Sequence, residues 1–448
     1  MATKILIDYI PSQSKPYKKT LVVSDMNILL VNYRYFISGG PERYMFNVSR
    51  ELAKHGHTIL PFSIHYTNNL PTSYAKYFVG PLGSRDEVYF DDQKMTLQTL
   101  ISTLKRLFYA KDVEYAVSHM IQETKPHIAY VLHYLRKLSP ALLVGIKKYN
   151  IPIVVRLSDF GLLCPQTHCL RDNSPCTLCV EGKIFPSVMY RCVKGSYPSS
   201  FLNAIATLYH LHKRYFDLID TFVVTNKFMY AMMIRAGYNQ ERLELIPTFT
   251  DPITFSPSQN FKKKDYVIFA GRIESIKGVH ILIDAFAQLK RFHHEHPVKL
   301  KITGNGSKVY ITWLKYKIAT LGLENNIEFL GYVDSQQLSE LLSQAIFSIV
   351  PSVCYENLPN AVLESFACGT PVLASDLGCL PDCVQDGVTG FIFRSGDSSD
   401  LAHKMELLLF DPSLAHTMAH NARNEALMCY TPARHIDRLI PLFERYIS

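Results

Sequence analysis

Two glutamates lie eight positions apart in YENLPNAVLESFACGTPV, residues 355–372. Glu356 follows the apolar, strand-like run SIVPS, so it is expected beyond the carboxyl end of a strand. Glu364 lies in a run of Ala, Val, Leu and Phe that predicts a helix. One reading is a helix-start glutamate favoured by the macrodipole together with a solvated one. Because so apolar a helix leaves a carboxylate in need of a partner, the pattern favours ligand contacts.

A second set of chemically competent residues lies in AGRIESIKGVHIL, residues 270–282. Arg272 ends a predicted strand, Lys277 follows five positions later, and Gly278 opens a predicted helix. A guanidinium, an ammonium and the free N–H groups of a helix start can together hold a diphosphate. The alternative is a pair of ordinary surface cations at a strand–helix turn.

The turn after the first predicted strand carries adjacent glycines, Gly39 and Gly40. Adjacent glycines allow the backbone to approach a phosphate closely, although glycine is also the default residue of any tight turn. His133 ends a later strand in YVLHYL, where it is either a hydrogen-bonding group of the site or a half-buried histidine with an internal partner.

Five cysteines fall between residues 164 and 192, and Cys176 and Cys179 have a metal-chelating Cys-x2-Cys spacing. The spacing favours a structural zinc held by Cys164, Cys176, Cys179 and Cys192. Free thiols, a disulfide and an iron–sulfur cluster are the alternatives. The other cysteines lie at element ends and in apolar runs, and they are expected to pack in the core.

The elements that must position these side chains alternate strand, turn and helix, the pattern of parallel sheets covered by helices. A first domain is predicted over residues 26–250, interrupted by a Cys-, Pro- and Gly-rich insert at 161–200. A linker at 251–265 leads to a second series over residues 266–430. Residues 431–448 predict an amphipathic terminal helix, for which a membrane-lying position is one alternative. The fold class is therefore α/β, with two doubly wound domains facing a cleft.

Composition sets the broad class of protein. With 48% hydrophobic and 19% charged residues, the chain is globular rather than disordered. A formal charge of +8 is compatible with phosphate-bearing substrates or an anionic membrane face. No apolar run is long enough to predict a transmembrane helix, and residues 1–25 lack a signal-peptide pattern. Because Met26 opens MNILLVNY, the first predicted strand, residues 1–25 are predicted to be an extension or to reflect an upstream start. Ten cysteines without a secretion signal indicate a reducing, cytoplasmic environment.

The run from residue 271 to 393 resembles the donor half of the retaining family 4 glycosyltransferases of GT-B fold, of the capsule or surface-polysaccharide type. The matching segments are AGRIESIKGVHILIDAF, LKITGNG, IEFLGYV and the stretch from IVPSVCYENLPN to GVTGFIF. The last is the most specific, because it carries a glutamate-x7-glutamate motif followed by GTPV. The N-terminal half matches more loosely, through ISGGPERYMFNVSRELAKHGH and IPIVVRLSDFGLLCP.

The resemblance implies a nucleotide-diphosphate-sugar donor whose diphosphate is neutralised by Arg272 and Lys277. Glu356, with the N–H groups of Asn357 and Leu358, is expected to orient the transferred sugar. Fixed cations and helix N-termini would stabilise the leaving-group charge, so no catalytic metal is expected.

The resemblance also assigns the rest of the donor site. Glu364 is expected to hold the ribose hydroxyls, and Gly39 and Gly40 let the first domain approach the donor phosphates. The backbone around Tyr332 and Val333 is expected to contact the base. In this fold the last helix crosses back to the N-terminal domain, which is the position expected for residues 431–448.

Two departures from the family pattern limit what can be carried over. Many capsule-type members have His-Asp before Cys-Pro, whereas this chain has Ser158 and Asp159. The role of that histidine against the sugar falls to Ser158, to His133, or is unfilled. ENLPN also replaces the commoner Glu-Gly-x-Gly, so the identity of the donor sugar cannot be carried over.

The sequence therefore predicts a retaining glycosyltransferase acting on a carbohydrate or lipid-linked acceptor in surface polysaccharide or glycolipid biosynthesis. It is expected in the cytoplasm, with peripheral contact to the inner face of the membrane. One alternative is a zinc-stapled nucleic-acid-binding protein, but a long basic stripe and nucleic-acid-binding motifs are missing, so no nucleic-acid partner is expected. Another is a GT-B synthase that uses a sugar-phosphate acceptor.

Overall fold

The structure, a computed structural model, describes residues 25–83, 97–257, 263–293, 295–357 and 359–447. Apart from Asp25, the predicted N-terminal extension lies outside the described residues, and so do residues 258–262 of the predicted linker.

The N-terminal domain is built on one parallel sheet. The strands in this half are β1 (Asn27–Asn32), β2 (Thr58–Phe62), β3 (Ile128–His133), β4 (Ile153–Arg156), β5 (Leu170–Arg171), β6 (Ser174–Pro175), β7 (Thr221–Val224) and β8 (Leu243–Leu245). Six of them form a sheet in the order β2-β1-β3-β4-β7-β8 with every pair parallel, whereas β5 and β6 form a separate antiparallel hairpin. Strands β3, β4 and β7 are buried almost throughout, as expected for a parallel sheet covered on both faces.

Among the described residues of this half, seven α-helices accompany the sheet. They are α1 (Gly40–Lys54), α2 (Leu97–Phe108), α3 (Lys111–Thr124), α4 (Ala141–Lys147), α5 (Phe185–Met189), α6 (Tyr197–His212) and α7 (Lys227–Arg235). Helix α1 begins at Gly40, directly after the glycine turn, and buries its apolar side against β1 and β3. The hairpin, α5 and the start of α6 occupy the predicted cysteine-rich insert.

The C-terminal domain repeats the architecture. Its strands are β9 (Tyr266–Ala270), β10 (Lys299–Thr303), β11 (Ile327–Gly331), β12 (Ser348–Val350), β13 (Val372–Ser375) and β14 (Gly390–Phe393). They pair in parallel in the order β11-β10-β9-β12-β13-β14. The helices are α8 (Val279–Phe292), α9 (Lys308–Thr320), α10 (Ser335–Gln344), α11 (Asn360–Ala367), α12 (Leu380–Cys383), α13 (Ser398–Phe410) and α14 (Pro412–Cys429).

The chain then returns to the first domain through α15 (Pro432–Glu444). Leu439 and Phe443 of this helix are fully buried in one cluster with Ile28 and Tyr130 of the N-terminal sheet. Tyr430, just before the helix, accepts a hydrogen bond from the backbone N–H of Thr250 at 3.0 Å. The two segments that cross between the domains are therefore hydrogen-bonded to each other.

Each sheet changes strand order near its middle, where β1 and β3 meet in one domain and β9 and β12 in the other. Ligands of such folds bind beyond the carboxyl ends of these strands. Among the described helices, none is long and apolar enough to cross a bilayer.

Candidate functional site

The loops that follow β9 and β12 pack against each other at the carboxyl edge of the C-terminal sheet. Val353 donates its N–H to the carbonyl of Ile276 at 2.9 Å. Gly278 has φ +72°, and a Cβ at this position would lie 1.8 Å from the carbonyl oxygen of Pro351. Glycine is therefore needed for two backbones to approach this closely, and the approach brings the side chains of the two loops together.

The side chains brought together are those of Lys277 and Glu356. Lys277 Nζ lies 2.5 Å from Glu356 Oε1, and the same oxygen accepts a hydrogen bond from Ser352 Oγ at 2.6 Å. Both charged groups are largely buried. The structure thus joins two of the predicted site residues and adds Ser352, which no sequence pattern had singled out.

The pair keeps both groups charged. Burial, the largest influence on each, raises the pKa of the Glu356 carboxyl and lowers that of the Lys277 ammonium. Their mutual attraction outweighs burial, so the net pKa of Glu356 is lowered and that of Lys277 is raised. An ammonium ion is therefore fixed at the edge of the cleft at neutral pH.

Arg272 lies at the rim of the same site. It is 61% exposed and forms an ion pair with Glu274 at 2.9 Å. Its charge also contributes to the lowered pKa of Glu356 and opposes the charge on Lys277. Arg272 is thus close enough to add to the positive field around Lys277, with its guanidinium open to solvent.

Glu364 lies in α11 and contacts the opposite domain. It is 5% exposed, and its Oε1 accepts a hydrogen bond from Arg43 Nη1 of α1 at 2.8 Å. Burial raises the pKa of Glu364, and the Arg43 charge offsets only part of that effect. The first residues of these two helices also lie close together. A Cβ added to Gly40 of α1 would lie 3.0 Å from Nδ2 of Asn360 in α11. The glycine turn therefore faces the beginning of α11 across the cleft.

Arg43 was missed by sequence reasoning. It lies in α1, far along the chain from Glu364, and a lone arginine on a helix carries no local signal of such a partner.

Gly39, the residue before α1, has an extended backbone with φ −174°.

Asn357 also connects the two domains. Its Nδ2 donates to the carbonyl of Leu157 at 2.7 Å, and its Oδ1 accepts from Thr225 Oγ1 at 2.6 Å. These contacts place the loop after β12 against the carboxyl ends of β4 and β7. Leu358, predicted to offer its N–H to the sugar, lies outside the described residues.

His133 ends β3 and pairs with Asp159. Its Nε2 lies 3.0 Å from Asp159 Oδ2, and its ring packs edge-on against Tyr33. Burial raises the pKa of Asp159, but His133 and the N–H of Gly161 outweigh it and give a net lowering. His133 Nδ1 is buried and has no hydrogen-bond partner among the described residues. Sequence reasoning had singled out Asp159 only as part of the Ser-Asp departure, without a partner.

Ser158 points away from this pair. Its hydroxyl donates to the carbonyl of Leu132 at 2.9 Å and accepts from Arg156 Nη1 at 3.2 Å. Ser158 and His133 were the two candidates for the role of the absent family histidine. The Ser158 hydroxyl has partners inside the protein, whereas His133 Nδ1 has none among the described residues.

Tyr332 and Val333 follow β11, two strands from β9 at the same edge of the sheet. Tyr332 is 71% exposed and Val333 is half-buried. The position is compatible with the predicted contact to a base, and no described contact links these two residues to the Lys277–Glu356 pair.

The five cysteines of the insert line one small cavity beside α5. Cys169, which the sequence reasoning left out, is the most deeply buried of them at 1% exposure. Its hydrogen bond to Cys164 is the largest cause of a pKa lowered to about 6 for Cys164, whereas burial raises the pKa of Cys179 to about 12.

Within the described ranges, no group of three or more His, Cys, Asp or Glu side chains is arranged to hold a metal ion. The zinc site at Cys164, Cys176, Cys179 and Cys192 therefore stays a prediction, which elemental analysis of the purified protein tests.

The sequence of the C-terminal half is similar to known proteins. Residues 251–425 match the family described as Glycosyl transferases group 1. The C-terminal domain matches the group 1 glycosyltransferases. A D-inositol 3-phosphate glycosyltransferase of Stackebrandtia nassauensis is 29% identical over 201 residues, covering 42% of this chain and 45% of the relative. A glycogen synthase of Mycobacterium tuberculosis is 34% identical over 158 residues, covering 35% of this chain and 37% of the relative. The chain thus spans less than half the length of these two curated relatives.

Solved structures extend the likeness over both domains. A sucrose-phosphate synthase from Thermosynechococcus elongatus superposes with a TM-score of 0.70 at 18% identity, covering 94% of this chain and 98% of that one. HepE of Anabaena, solved with UDP and glucose, gives a TM-score of 0.64 at 19% identity, covering 94% and 100%. The predicted GT-B fold, two Rossmann-like domains facing a cleft, is confirmed.

Proposed function

We propose that the protein is a retaining glycosyltransferase that moves a hexose-type sugar from a nucleotide-diphosphate-sugar to an acceptor. The observation that carries the proposal is the buried Lys277–Glu356 pair, which fixes a cation where the donor diphosphate of a group 1 glycosyltransferase domain would lie. HepE, a neighbour in fold, was solved with UDP and glucose, which supports a nucleotide-diphosphate-sugar as the class of donor.

The proposed chemistry places the cations at the leaving group. When the sugar–phosphate bond breaks, negative charge builds on the β-phosphate, and Lys277 and Arg272 would stabilise it. Glu356 holds Lys277 charged and in place, and with the N–H groups of Asn357 and Leu358 it would orient the sugar. Because side-chain cations would meet the diphosphate, the reaction as proposed requires no divalent metal.

The rest of the donor would extend along the cleft. Glu364 would accept hydrogen bonds from the ribose hydroxyls, beside its contact with Arg43. Gly39 and Gly40 would bring the backbone of the first domain to the phosphates, and Tyr332 and Val333 would contact the base.

His133 would act on the sugar or the acceptor. Its Nε2 is held by Asp159, and its unpartnered Nδ1 is the atom that would accept a hydrogen bond from a hydroxyl group. Closure of the cleft around the substrate would be needed to bring a hydroxyl to this buried atom.

The acceptor is proposed to be a carbohydrate or lipid-linked sugar of a surface polysaccharide or glycolipid, assembled at the cytoplasmic face of a membrane. A phosphorylated acceptor is a second candidate, because the curated relative named D-inositol 3-phosphate glycosyltransferase shares the donor-side sequence.

A thermal-shift series with nucleotide-sugars tests the proposal. A ligand at a hundred times its dissociation constant adds about 2.7 kcal/mol to the free energy of unfolding, so binding should raise the melting temperature clearly. Lys277→Ala should abolish the shift, whereas Lys264→Ala, at an exposed position near the start of the same domain, should keep it. A flat series across uridine, guanosine, adenosine and thymidine diphosphate sugars would contradict the proposed function.

A further inference from the structure

Helix α6 exposes a row of large apolar side chains. Tyr197, Phe201, Ile205, Leu208 and Leu211 recur at spacings of four, four, three and three, so they lie along one side of the helix. Each of them is between 39% and 57% exposed. Scattered exposed hydrophobics are ordinary, but a continuous row along four turns of one helix marks a surface that contacts something else.

The neighbouring helices extend this row. On α5, which packs against α6, Phe185 and Met189 are four positions apart and more than half exposed. Helix α2 also packs against α6 and exposes Leu100 and Ile101. We call the exposed apolar side chains of α2, α5 and α6 the apolar face.

Basic residues outnumber acidic residues around the apolar face. Two acids lie at its margins, where Glu181 pairs with Lys183 at 3.5 Å and Asp217 pairs with Arg214 at 2.5 Å. From residue 182 to residue 215 the sequence contains no Asp or Glu. All five of its Lys and Arg residues are exposed, and they flank the row at both ends: Lys183, Arg191, Lys194, Lys213 and Arg214. Helix α2 carries Lys105 and no acid, whereas its Arg106 is buried and pairs with Asp112 at 2.7 Å.

We propose that the apolar face docks on an anionic lipid bilayer, with α6 lying in the plane of the headgroups. Aromatic and aliphatic side chains would enter the boundary between headgroups and acyl chains, and the flanking Lys and Arg would contact the lipid phosphates. A lipid surface accepts this arrangement without a shaped counterpart, because the partner supplies apolar area and negative charge together.

A second copy of this chain fits the face poorly. In a twofold dimer the same surface meets itself, so the surplus of basic residues around one apolar face would meet the same surplus on its partner. The acids at the margins, Glu181 and Asp217, are already paired within the chain. Like charges brought together in this way cost free energy. The charge pattern therefore favours an anionic surface over self-association.

This inference gives the proposed function a route to its acceptor. Helix α5 also lines the cysteine cavity, through Pro186, Ser187 and the following Tyr190, so the apolar face is anchored to the segment that leads back to Asp159. A lipid-linked acceptor would enter from the bilayer on which the face lies. Lipid binding itself does not depend on catalysis, so it is measured separately from donor binding.

Vesicle co-sedimentation of the full chain tests the inference. With vesicles of phosphatidylcholine containing about 30% phosphatidylglycerol, the wild type should sediment, and the double variant Phe201→Glu/Leu208→Glu should bind about tenfold more weakly. The matched control Ile253→Glu/Met428→Glu adds the same charge at exposed apolar positions outside the face and should sediment like the wild type. Raising the salt to about 0.5 M should weaken binding of the wild type.

Several outcomes would overturn the inference. They are equal sedimentation of the two double variants, no binding by the wild type, or a wild-type dimer that Phe201→Glu/Leu208→Glu dissociates while vesicle binding is absent. The thermal shift with nucleotide-sugar should be unchanged in both double variants. Loss of that shift in the wild type would reject the proposed function and leave the vesicle result standing.

Discussion

At the scale of single residues, the two glutamates that share one motif have opposite electrostatic environments. Glu356 has a lowered pKa because the buried Lys277 ammonium lies against it, whereas burial raises the pKa of Glu364 beyond what the half-exposed Arg43 offsets. One carboxylate thus stabilises the folded chain when ionised, and the other is costly to ionise. The two positions should respond differently to substitution.

Glu364→Gln should weaken donor binding without lowering stability. Losing a carboxylate that accepts from hydroxyl groups should raise the dissociation constant of the donor about 10- to 100-fold. Above pH 4.5 the unfolded wild type gives up the Glu364 proton before the folded protein does, so its stability falls as the pH rises through the raised pKa. The glutamine variant lacks this decline.

Urea unfolding at pH 5 and at pH 7.5, with titration of a nucleotide-sugar, measures both effects. At pH 7.5 the free energy of unfolding of Glu364→Gln should equal or exceed that of the wild type. A clear loss of stability at pH 7.5 would mean that the Arg43 contact outweighs burial, contrary to the raised pKa.

Lys277→Met should destabilise the protein and do so most above pH 4.5. Removing the ammonium leaves Glu356 as a buried carboxylate without its cation, at a cost of about 3–5 kcal/mol. The lowered pKa of Glu356 means that the pair adds stability above pH 4.5, which is lost as the pH falls through the folded-state value. The difference between wild type and variant should therefore widen from pH 4 to pH 7.

The double variant Lys277→Met/Glu356→Gln provides the control, since it removes both charges and should recover part of the stability but no activity. A wild-type-to-variant difference that is constant across this pH range would show that Glu356 is not held ionised by Lys277.

Residue types and spacing singled out the loops of the proposed site, but not which side chains meet. Lys277 and Glu356 were each singled out, yet their direct ion pair depends on the close approach of two backbones at Gly278. Arg43 and Asp159 act through partners that are distant in the chain, and no local pattern marks such contacts.

At the scale of elements, the strand-end loops are set by a few backbone approaches. Gly278 has a left-handed backbone and lies against Pro351. Gly39 has an extended backbone, and the atom nearest to a Cβ added there would be 3.6 Å away. The first glycine is needed by the fold, and the second is free to carry a side chain.

Gly278→Ala should therefore cost about 3 kcal/mol or more, because a Cβ would clash with a backbone oxygen and the residue would be strained. Gly39→Ala should shift the melting temperature by less than about 2 °C, yet weaken the donor about tenfold by blocking approach to the phosphates. Differential scanning calorimetry and donor titration of both variants measure this contrast. If Gly39→Ala bound the donor as tightly as the wild type, the proposed contact between the glycine turn and the donor phosphates would be wrong.

The helices and strands were well predicted where the hydrophobic pattern of the sequence was clear. Runs such as NILLVNY and HIAYVLHY became β1 and β3 because buried parallel strands are apolar throughout. The insert at 161–200 was predicted only as a loop, because its β5–β6 hairpin and α5 are too short to show a period. The exposed row on α6 was not predicted, since apolar spacing along a helix does not reveal which side is covered.

At the scale of the whole molecule, the two domains can be followed separately. The chain has one tryptophan, Trp313, and it lies in α9 of the C-terminal domain. Its fluorescence therefore reports the second domain, whereas far-UV circular dichroism reports both.

Leu439→Ala should destabilise the N-terminal domain by about 2–5 kcal/mol, because it opens a cavity in the cluster that α15 shares with the first sheet. The circular dichroism transition should broaden and begin at lower urea, with the midpoint of Trp313 fluorescence little changed. Asp437→Ala, at an exposed position of the same helix, should leave both transitions in place. Equal shifts in the two signals would show that the domains unfold as one unit.

The return of α15 reverses the order in which the domains can be completed during synthesis. A ribosome releases the N-terminal sheet before the C-terminal sheet, but the helix that covers Ile28 and Tyr130 emerges after both. The C-terminal sheet, continuous from β9 to β14, has all its strands earlier. The domain that is translated first is therefore finished second, and it must hold an exposed apolar surface while the rest of the chain is made. A stop codon just before residue 432 would therefore leave the second domain whole and uncover apolar surface in the first.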